Sequence, residues 1–403
     1  MKISNKVPGV KVCFVSREMI SPPVEGNHIA SRRFIEAAEG AGIETRILTV
    51  EQDKKQNIPP NWNVVNTVLK PSANDAFLPR VTLAVNDMLT AVRLSSLVKS
   101  SDCPLVHVLN VSKEAYLLAH SLLRNKKLLL MHFFHSAHTL NDDIFAIRNL
   151  AFRAGLYGRI MDNHVLTINL SLAKFLVEKT GVRPENVHYV PYPINTSTFR
   201  PRNNKEKTRE KYNLPSDCPI VAYVGSLSPA RGLSYLIKSF KQVLSSHPRT
   251  LLYISYPRRE GERIYEQQLR ELVCSLEYRD NIVIDAPSPT VQDLYNLADI
   301  VALPFTRPYW VDPPLVLLEA MSSGAVVVST HVGALDEVLR DHENALVVNP
   351  ENTSSLANAI IEILDNPNLA LKLARKARET IIRNYSYQVV GKNLLKVYAS
   401  ILK

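Results

Sequence analysis

A chain of 403 residues is longer than one hydrophobic core usually supports, so two domains are expected. Its 46% apolar and 21% charged residues are the composition of a soluble globular protein, and no apolar run approaches the ~18 residues that a membrane-spanning helix needs. The formal charge of +10 sits mostly in the first half: residues 1–200 hold 24 Lys and Arg against 16 Asp and Glu, while residues 201–403 hold 24 against 22.

Short apolar runs alternate with helical patterns along the whole chain, the mark of α/β architecture with parallel sheets. In the first half the runs Val10–Val15, Glu44–Val50, Val64–Leu69, Leu105–Leu109, Lys127–Met131 and His164–Ile168 read as strands, with helices over Ile29–Ala41 and Asp87–Lys99. The polar, proline-containing stretch Phe199-Arg200-Pro201-Arg202-Asn203-Asn204-Lys205 has linker composition. The alternation then restarts with strands at Ile220–Val224, Thr250–Ile254, Asn281–Ile284, Ile300–Leu303, Ala325–Ser329 and Ala345–Val348, and helices at Ser234–Ser246, Ile264–Leu276 and Ser354–Asn366. Two doubly wound halves joined near residue 200 follow. Ligands of such sheets bind beyond the carboxyl ends of the strands, so the chemistry should lie in loops that follow strands.

A basic first half suits an anionic partner, and a merely solvated surface explains it equally well. No nucleic acid is expected, because neither an aromatic-rich RNA-binding signature nor helix-turn-helix spacing accompanies the charge. An anionic acceptor or a membrane surface remains. Phe145, Arg148, Phe152, Arg153, Leu156, Tyr157 and Arg159 mix apolar and basic residues at helical spacing, as either an interfacial helix or ordinary core packing would. Cys13, Cys103, Cys218 and Cys274 lie far apart, without a Cys-x-x-Cys pair or a histidine at ligand spacing. Reduced thiols are expected, with no zinc site and no disulfide framework. Lys2 and Lys6 precede the strand-like run Lys11-Val12-Cys13-Phe14-Val15 rather than a signal-peptide core. A cytoplasmic protein is expected, with the cytoplasmic face of the membrane left open.

Chemistry concentrates in the second half. In Asp312-Pro313-Pro314-Leu315-Val316-Leu317-Leu318-Glu319-Ala320-Met321-Ser322-Ser323-Gly324, aspartate is a good N-cap and proline suits the first helical position. A helix beginning at Asp312 would turn free N–H groups and a positive dipole end toward a phosphate, near Pro314 and Leu315. Glu319, about two turns along, is a carboxylate among leucines that needs a partner: a ribose diol, or a lysine or arginine nearby. Earlier, the strand ending at Val224 runs into Gly225-Ser226-Leu227-Ser228-Pro229-Ala230-Arg231-Gly232 and a helix. A cation at a helix start, such as Arg231, is disfavoured by the dipole unless an anion is present. Gly333 and Ala334, after another strand, are small enough for close backbone approach, and Glu337 reads as a helix-start charge. In the first half, Pro22-Pro23-Val24-Glu25-Gly26-Asn27-His28 lies between a strand and a helix, and His132 and His135 follow the Lys127–Met131 strand.

Leu318-Glu319-Ala320-Met321-Ser322-Ser323-Gly324 and the Gly225–Gly232 loop resemble the signature segments of retaining glycosyltransferases of family 4. So do Val190-Pro191-Tyr192-Pro193-Ile194-Asn195-Thr196-Ser197-Thr198-Phe199 and Thr167-Ile168-Asn169-Leu170-Ser171. The resemblance runs from the first strand to Asn349 and is strongest after residue 185. It implies the GT-B fold, two Rossmann-like doubly wound domains facing an interdomain cleft. Residues 1–199 would bind the acceptor, with a helix at about 386–403 packing back on them, and residues 200–385 would bind a nucleotide-sugar donor. It implies that Glu319 binds the nucleotide ribose, that Gly225, Ser226 and Arg231 grip the donor diphosphate, and that Gly26, Gly333, Ala334 and the Pro314–Leu315 amides approach the phosphates. His132 would stand near the anomeric carbon. The family's first glutamate falls at Val311, and Asp312 either substitutes for it or only caps the helix. Arg231 replaces the family's lysine, and Ser226 replaces an arginine, which removes one of two positive charges. The implied activity is transfer of a sugar from a nucleoside-diphosphate sugar to an acceptor hydroxyl with retention, His132 and Asp312 being the catalytic candidates and no metal or other cofactor being needed. A non-catalytic donor-binding or partner subunit of the same fold is the alternative.

Overall fold

The computed structural model describes residues 10–17, 26–51, 62–66, 92, 95–96, 98–99, 101–109, 128–133, 164–180, 182–285, 290–306 and 312–403. The chain divides into two units, the first comprising Met1–Pro193 and Tyr387–Lys403, the second Ile194–Ser386.

In unit 1 the strands are β1 (Lys11–Arg17), β2 (Glu44–Glu51), β3 (Trp62–Asn66), β4 (Leu105–Val108), β5 (Leu128–Phe133), β6 (His164–Thr167) and β7 (Val187–Tyr189). They form one parallel sheet in the order β3-β2-β1-β4-β5-β6-β7. Parallel pairing needs crossovers, and both faces of such a sheet are covered, which is why β4 is buried at every position. Helices α1 (Gly26–Gly40) and α2 (Leu170–Thr180) supply part of that cover. The C-terminal helix, which we number α10 (Tyr387–Ile401), packs on α1. Gly391 permits the approach, since a Cβ there would overlap the Ala37 carbonyl oxygen. The Tyr387 hydroxyl donates to Glu36 at 2.8 Å, and the Tyr398 hydroxyl meets His107 Nδ1 at 2.7 Å inside the core.

Unit 2 holds β8 (Ile220–Val224), β9 (Leu251–Ser255), β10 (Ile282–Asp285), β11 (Ile300–Leu303), β12 (Val326–Thr330) and β13 (Leu346–Val348). The sheet is again parallel, in the order β10-β9-β8-β11-β12-β13. Its described helices are α3 (Lys205–Lys211), α4 (Leu233–Ser246), α5 (Arg263–Cys274), α6 (Val291–Leu297), α7 (Leu315–Ser322), α8 (Thr353–Asp365) and α9 (Pro367–Asn384). In α4 the residues Leu233, Leu236, Ile237, Phe240 and Val243 fall on one face at helical spacing, and that face joins Leu252, Ile254, Ile300 and Val328 in the core.

The run read as a linker is part of unit 2. Its polar residues are spent on contacts: Arg202 pairs with Asp293 at 3.1 Å and Lys205 with Asp299 at 2.5 Å, while Ser322 and Arg378 donate to the Phe199 carbonyl at 2.7 and 3.1 Å. Composition alone cannot tell a solvated linker from a strap held by ion pairs. Strand positions agree with the sequence reading to within a few residues, and β7, α2, α3, α6 and α9 were not anticipated. The Phe145–Arg159 stripe, Pro22–Glu25, Phe134–His138, Ala286–Ser288 and Val311 lie outside the described residues. Among the described residues no helix is long and apolar enough to cross a membrane.

Candidate functional site

Strand order reverses between β8 and β11, because β9 lies on the far side of β8 while β12 lies on the far side of β11. At such a point the loops leaving the carboxyl ends diverge and leave a crevice. The two loops are Gly225–Gly232 and Pro304–Thr306, and most of the candidate residues lie on or beside them.

The loop after β8 is tied at several points. Gly225 N–H donates to Ser255 O at 3.2 Å, the Tyr223 hydroxyl donates to Ser226 O at 2.8 Å, and Leu227 N–H donates to Glu262 Oε2 at 2.8 Å. Burial raises the Tyr223 pKa, so its hydroxyl stays a donor. Pro229–Arg231 then form a 3-10 turn, and Thr306 N–H from the loop after β11 donates to Ala230 O at 3.0 Å. The Arg231 guanidinium sits 5.1 Å from the centroid of the Phe305 ring, which holds the cation at the mouth of both loops. Gly232 is left-handed, with φ of 70°, and a Cβ there would overlap the Pro304 carbonyl oxygen. Only glycine meets both requirements.

The helix that carries Glu319 starts later than the sequence suggested. Its N-cap is Pro314, with no side-chain cap, and α7 opens at Leu315. Asp312 therefore does not cap it; the two prolines keep the chain extended for two more residues. The first intrahelical bonds run from Leu317 and Leu318 N–H to Pro314 O, so the amides of Leu315 and Val316 are the ones that helix geometry leaves over. Glu319 is 5% exposed, and its Oε2 accepts from the Tyr295 hydroxyl at 3.1 Å. The same hydroxyl lies 3.1 Å from Val316 O. Tyr295 in turn packs against Phe199, with ring centroids 6.3 Å apart. Neither Tyr295 nor Phe305 was singled out from the sequence. Tyr295 sits on α6, a two-turn helix too short to show a period, although the Thr290 cap three residues before Asp293 could have marked its start.

Asp312 has a different environment. The residue is partly accessible while its carboxyl lies deep among protein atoms, and burial, with the Glu337 charge adding to it, pushes its pKa up to about 7. Glu337 ends the 3-10 turn Gly333–Glu337 that follows β12; no α-helix starts there, contrary to the helix-start reading. Gly333 is exposed with φ of 59°, and Ala334 is buried. Ser329 Oγ donates to Leu303 O at 2.8 Å and Thr330 Oγ1 to Phe305 O at 2.7 Å, which fastens the end of β12 to the loop after β11. A continuous set of contacts thus runs from Arg231 through Phe305 and Thr330 to the Gly333 turn. Glu337 on that turn then acts on Asp312, just ahead of α7.

Gly26 and His132 belong to unit 1. Gly26 opens α1, and His132 lies within β5, one residue before its end, rather than after the strand as the sequence suggested. The apolar run Leu128–Met131 continues through Phe133 in register with β6, which carries the strand past the histidine. None of the four cysteines is in a disulfide; three are buried and Cys274 is exposed. Among the described residues, no group of three or more His, Cys, Asp or Glu could hold a metal ion.

Residues 204–380 match the family model of glycosyl transferases group 1, which supports that family for this part of the chain. The D-inositol 3-phosphate glycosyltransferase of Acidothermus cellulolyticus is 28% identical over 246 residues, 60% of this chain and 54% of that one. The chain spans about half the length of that curated relative. Among solved structures, the sucrose-phosphate synthase of Thermosynechococcus elongatus superposes with a TM-score of 0.76 at 21% identity, covering 98% of this chain and 99% of that one. HepE of Anabaena, solved in complex with UDP and glucose, does so with a TM-score of 0.75 at 15% identity, covering 97% and 100%. At these identities the structural likenesses show the fold: GT-B, built from two Rossmann-like units.

Proposed function

We propose that the protein is a retaining glycosyltransferase of family 4 that moves a sugar from a nucleoside-diphosphate sugar to an acceptor hydroxyl. The observation that carries this reading is the placement, on the segments that follow β8 and β11, of a cation, a tied glycine loop and a helix N-terminus with a buried carboxylate further along the same helix. Arg231 and the Leu315 and Val316 amides meet the diphosphate, and they stabilise the charge that develops on it as the sugar leaves. Gly225, Ser226, Gly333 and Ala334 let the backbone approach, Glu319 takes the ribose hydroxyls, and Asp312 serves the sugar end. Asp312, with a pKa of about 7, can donate a hydrogen bond to a sugar hydroxyl in its protonated form. The chemistry of these groups needs no metal or other cofactor. Unit 1 takes the acceptor, an anionic or lipid-linked molecule that matches the basic first half of the chain. Similarity to known glycosyltransferases, the D-inositol 3-phosphate glycosyltransferase of Acidothermus cellulolyticus among them, supports this class of chemistry.

The test is a screen of uridine, guanosine and adenosine diphosphate sugars for release of nucleoside diphosphate, with calorimetric binding alongside. Turnover with one donor and its loss in Glu319→Ala is the expected result. Tight donor binding without turnover across varied acceptors would instead favour a donor-binding subunit, a reading that the serine at position 226 supports.

A further inference from the structure

The Phe199–Lys205 strap borders a hollow of about 590 Å³ whose polar lining is Ser197, Thr198, Arg200, Arg202, Asn203 and Asn204. Each of these side chains can donate a hydrogen bond, and none is a carboxylate. Arg202 gives one nitrogen to Asp293 at 3.1 Å, and that carboxylate is shared with Lys211 and the Tyr212 hydroxyl, each at 2.8 Å. Arg200 is exposed, and among the described residues neither it nor the Ser197 and Thr198 hydroxyls has a hydrogen-bond or ion-pair partner. The backbone that bears the two hydroxyls is fixed, because Asn195 Oδ1 accepts from Ser197 N–H at 3.1 Å and Thr198 N–H at 3.0 Å. Arg378 is bound to the same strap through the Phe199 and Thr196 carbonyls, at 3.1 and 3.4 Å. Burial, with the Arg200 charge adding to it, lowers the Arg378 pKa, so the two guanidiniums lie close enough to repel. The carbonyl end of α7 accounts for Arg378, which also donates to Ser322 O there. Nothing comparable among the described residues accounts for Arg200.

This hollow is separate from the loops after β8 and β11. The strap meets the C-terminal end of α7: Ser322 Oγ donates to Phe199 O at 2.7 Å, and a Cβ at Gly324 would come within 2.9 Å of the Pro201 ring. The Leu315 and Val316 amides open the same helix at its other end, about 12 Å away at 1.5 Å per residue.

We propose that the strap hollow is a second anion site, which takes the phosphate group of a small phosphorylated molecule or of a lipid headgroup on Arg200, Arg202 and the Ser197 and Thr198 hydroxyls. A tetrahedral phosphate has oxygens enough for a guanidinium fork and two hydroxyls together. The assignment does not depend on the nucleotide-sugar reading. Its rival is a basic surface that attracts anions by charge alone.

Calorimetric titration of the full chain with inorganic phosphate and with glycerol 3-phosphate tests the soluble source. Flotation with phosphatidylcholine vesicles, with and without phosphatidic acid, tests the headgroup. Saturable binding in at least one arm is expected: in the soluble arm it marks a free phosphorylated molecule, in the phosphatidic acid vesicles alone a headgroup. Arg200→Ala should weaken that binding roughly 10-fold or more, as loss of a charge-assisted contact does. Thr198→Val removes a hydroxyl and keeps the charge, and should weaken it several-fold, whereas attraction by charge alone would not respond. Arg231→Ala, in the loop after β8, should leave it unchanged. Arg200 and Thr198 are exposed, so both variants should unfold at the wild-type temperature. Absence of binding in both arms, binding that survives either Arg200→Ala or Thr198→Val unchanged, or binding lost in Arg231→Ala would overturn the proposal.

Discussion

Both units bury titratable groups, but they bury them to different ends. In unit 1, His107 is enclosed with Tyr398 and Phe14, and burial alone drops its pKa to about 3. His164 and His188 meet at 3.0 Å across β6 and β7, and burial takes His188 to about 4. His107 is a neutral ring filling the core, and the half-buried His164 and His188 pair between neighbouring strands. In unit 2, burial raises the Asp312 carboxyl toward 7 beside another carboxylate, Glu337, just ahead of a helix start and within the contacts of the strand-end loops. Burial by itself is therefore no mark of function. What distinguishes the groups is the company they keep and whether they lie at the carboxyl ends of strands.

The largest effects should come from two glycines, one in each unit. A side chain at Gly391 would overlap the Ala37 carbonyl, and one at Gly232 would overlap the Pro304 carbonyl. Gly391→Val and Gly232→Ala should each destabilise their unit by about 3 kcal/mol or more, as overpacking against fixed backbone does. Thermal unfolding measures this. Folded Gly391→Val should keep nucleoside-diphosphate binding, whereas folded Gly232→Ala should lose it, because the Arg231 turn hangs from Gly232. Equal binding losses in both would erase the distinction between a packing unit and a site-bearing one. Next in size, Glu319→Ala should lower kcat/KM with the best donor by about 100-fold, or ~2.7 kcal/mol, without loss of fold. Full activity in that variant would move the chemistry away from α7.

Much of unit 2 was readable from residue pattern. Gly225, Arg231 and Glu319 stood out by local chemistry, as a glycine before a close approach, a cation at a helix start and a carboxylate among leucines, but the partners found for two of them, Phe305 for Arg231 and Tyr295 for Glu319, were not among those the sequence offered. Asp312 was misread because aspartate before proline signals a cap, and the double proline carried the chain past that point before the helix formed. Tyr295, Phe305 and Glu262 could not be read, since each acts across the fold on a group tens of residues away, through contacts that only the strand order creates. The Phe199–Lys205 strap failed for the same reason: its ion partners Asp293 and Asp299 lie about ninety residues downstream.

The two units should also answer pH in opposite senses. His107 and His188 have folded pKa values below the ~6.5 of an unfolded histidine, so their contribution is present above that value and is lost as pH falls toward 4. Asp312 has a folded pKa above the ~3.9 of an unfolded aspartate, so its contribution is complete below about 4 and is lost as pH rises through 7. Hydrogen exchange corrected for intrinsic rates, followed from pH 4.5 to 7.5, should show protection rising with pH in unit 1 and falling in unit 2. About 2 kcal/mol in either direction is expected once partial access of water is allowed for. Asp312→Asn should flatten the unit 2 slope and leave unit 1 unchanged; a slope in unit 2 that survives this substitution would show that another group controls it.

The finest test concerns the hydroxyl of Tyr295. It carries one proton and lies 3.1 Å from two acceptors, Val316 O and Glu319 Oε2, so it cannot fully satisfy both at once. On the proposed reading, a ribose hydroxyl that engages Glu319 lets the Tyr295 proton turn to Val316 O, so that one donor to the carboxylate is exchanged for another. Tyr295→Phe should therefore raise the donor KM by a few-fold, about 1 kcal/mol, and change kcat less, because the tyrosine presets the carboxylate rather than touching the reacting bond. In a Glu319→Ala background the same change should add little, since the partner it orients is gone. Fully additive losses would mean that Tyr295 acts on α7 only through Val316, as a brace for the helix start, and that Glu319 finds its orientation elsewhere.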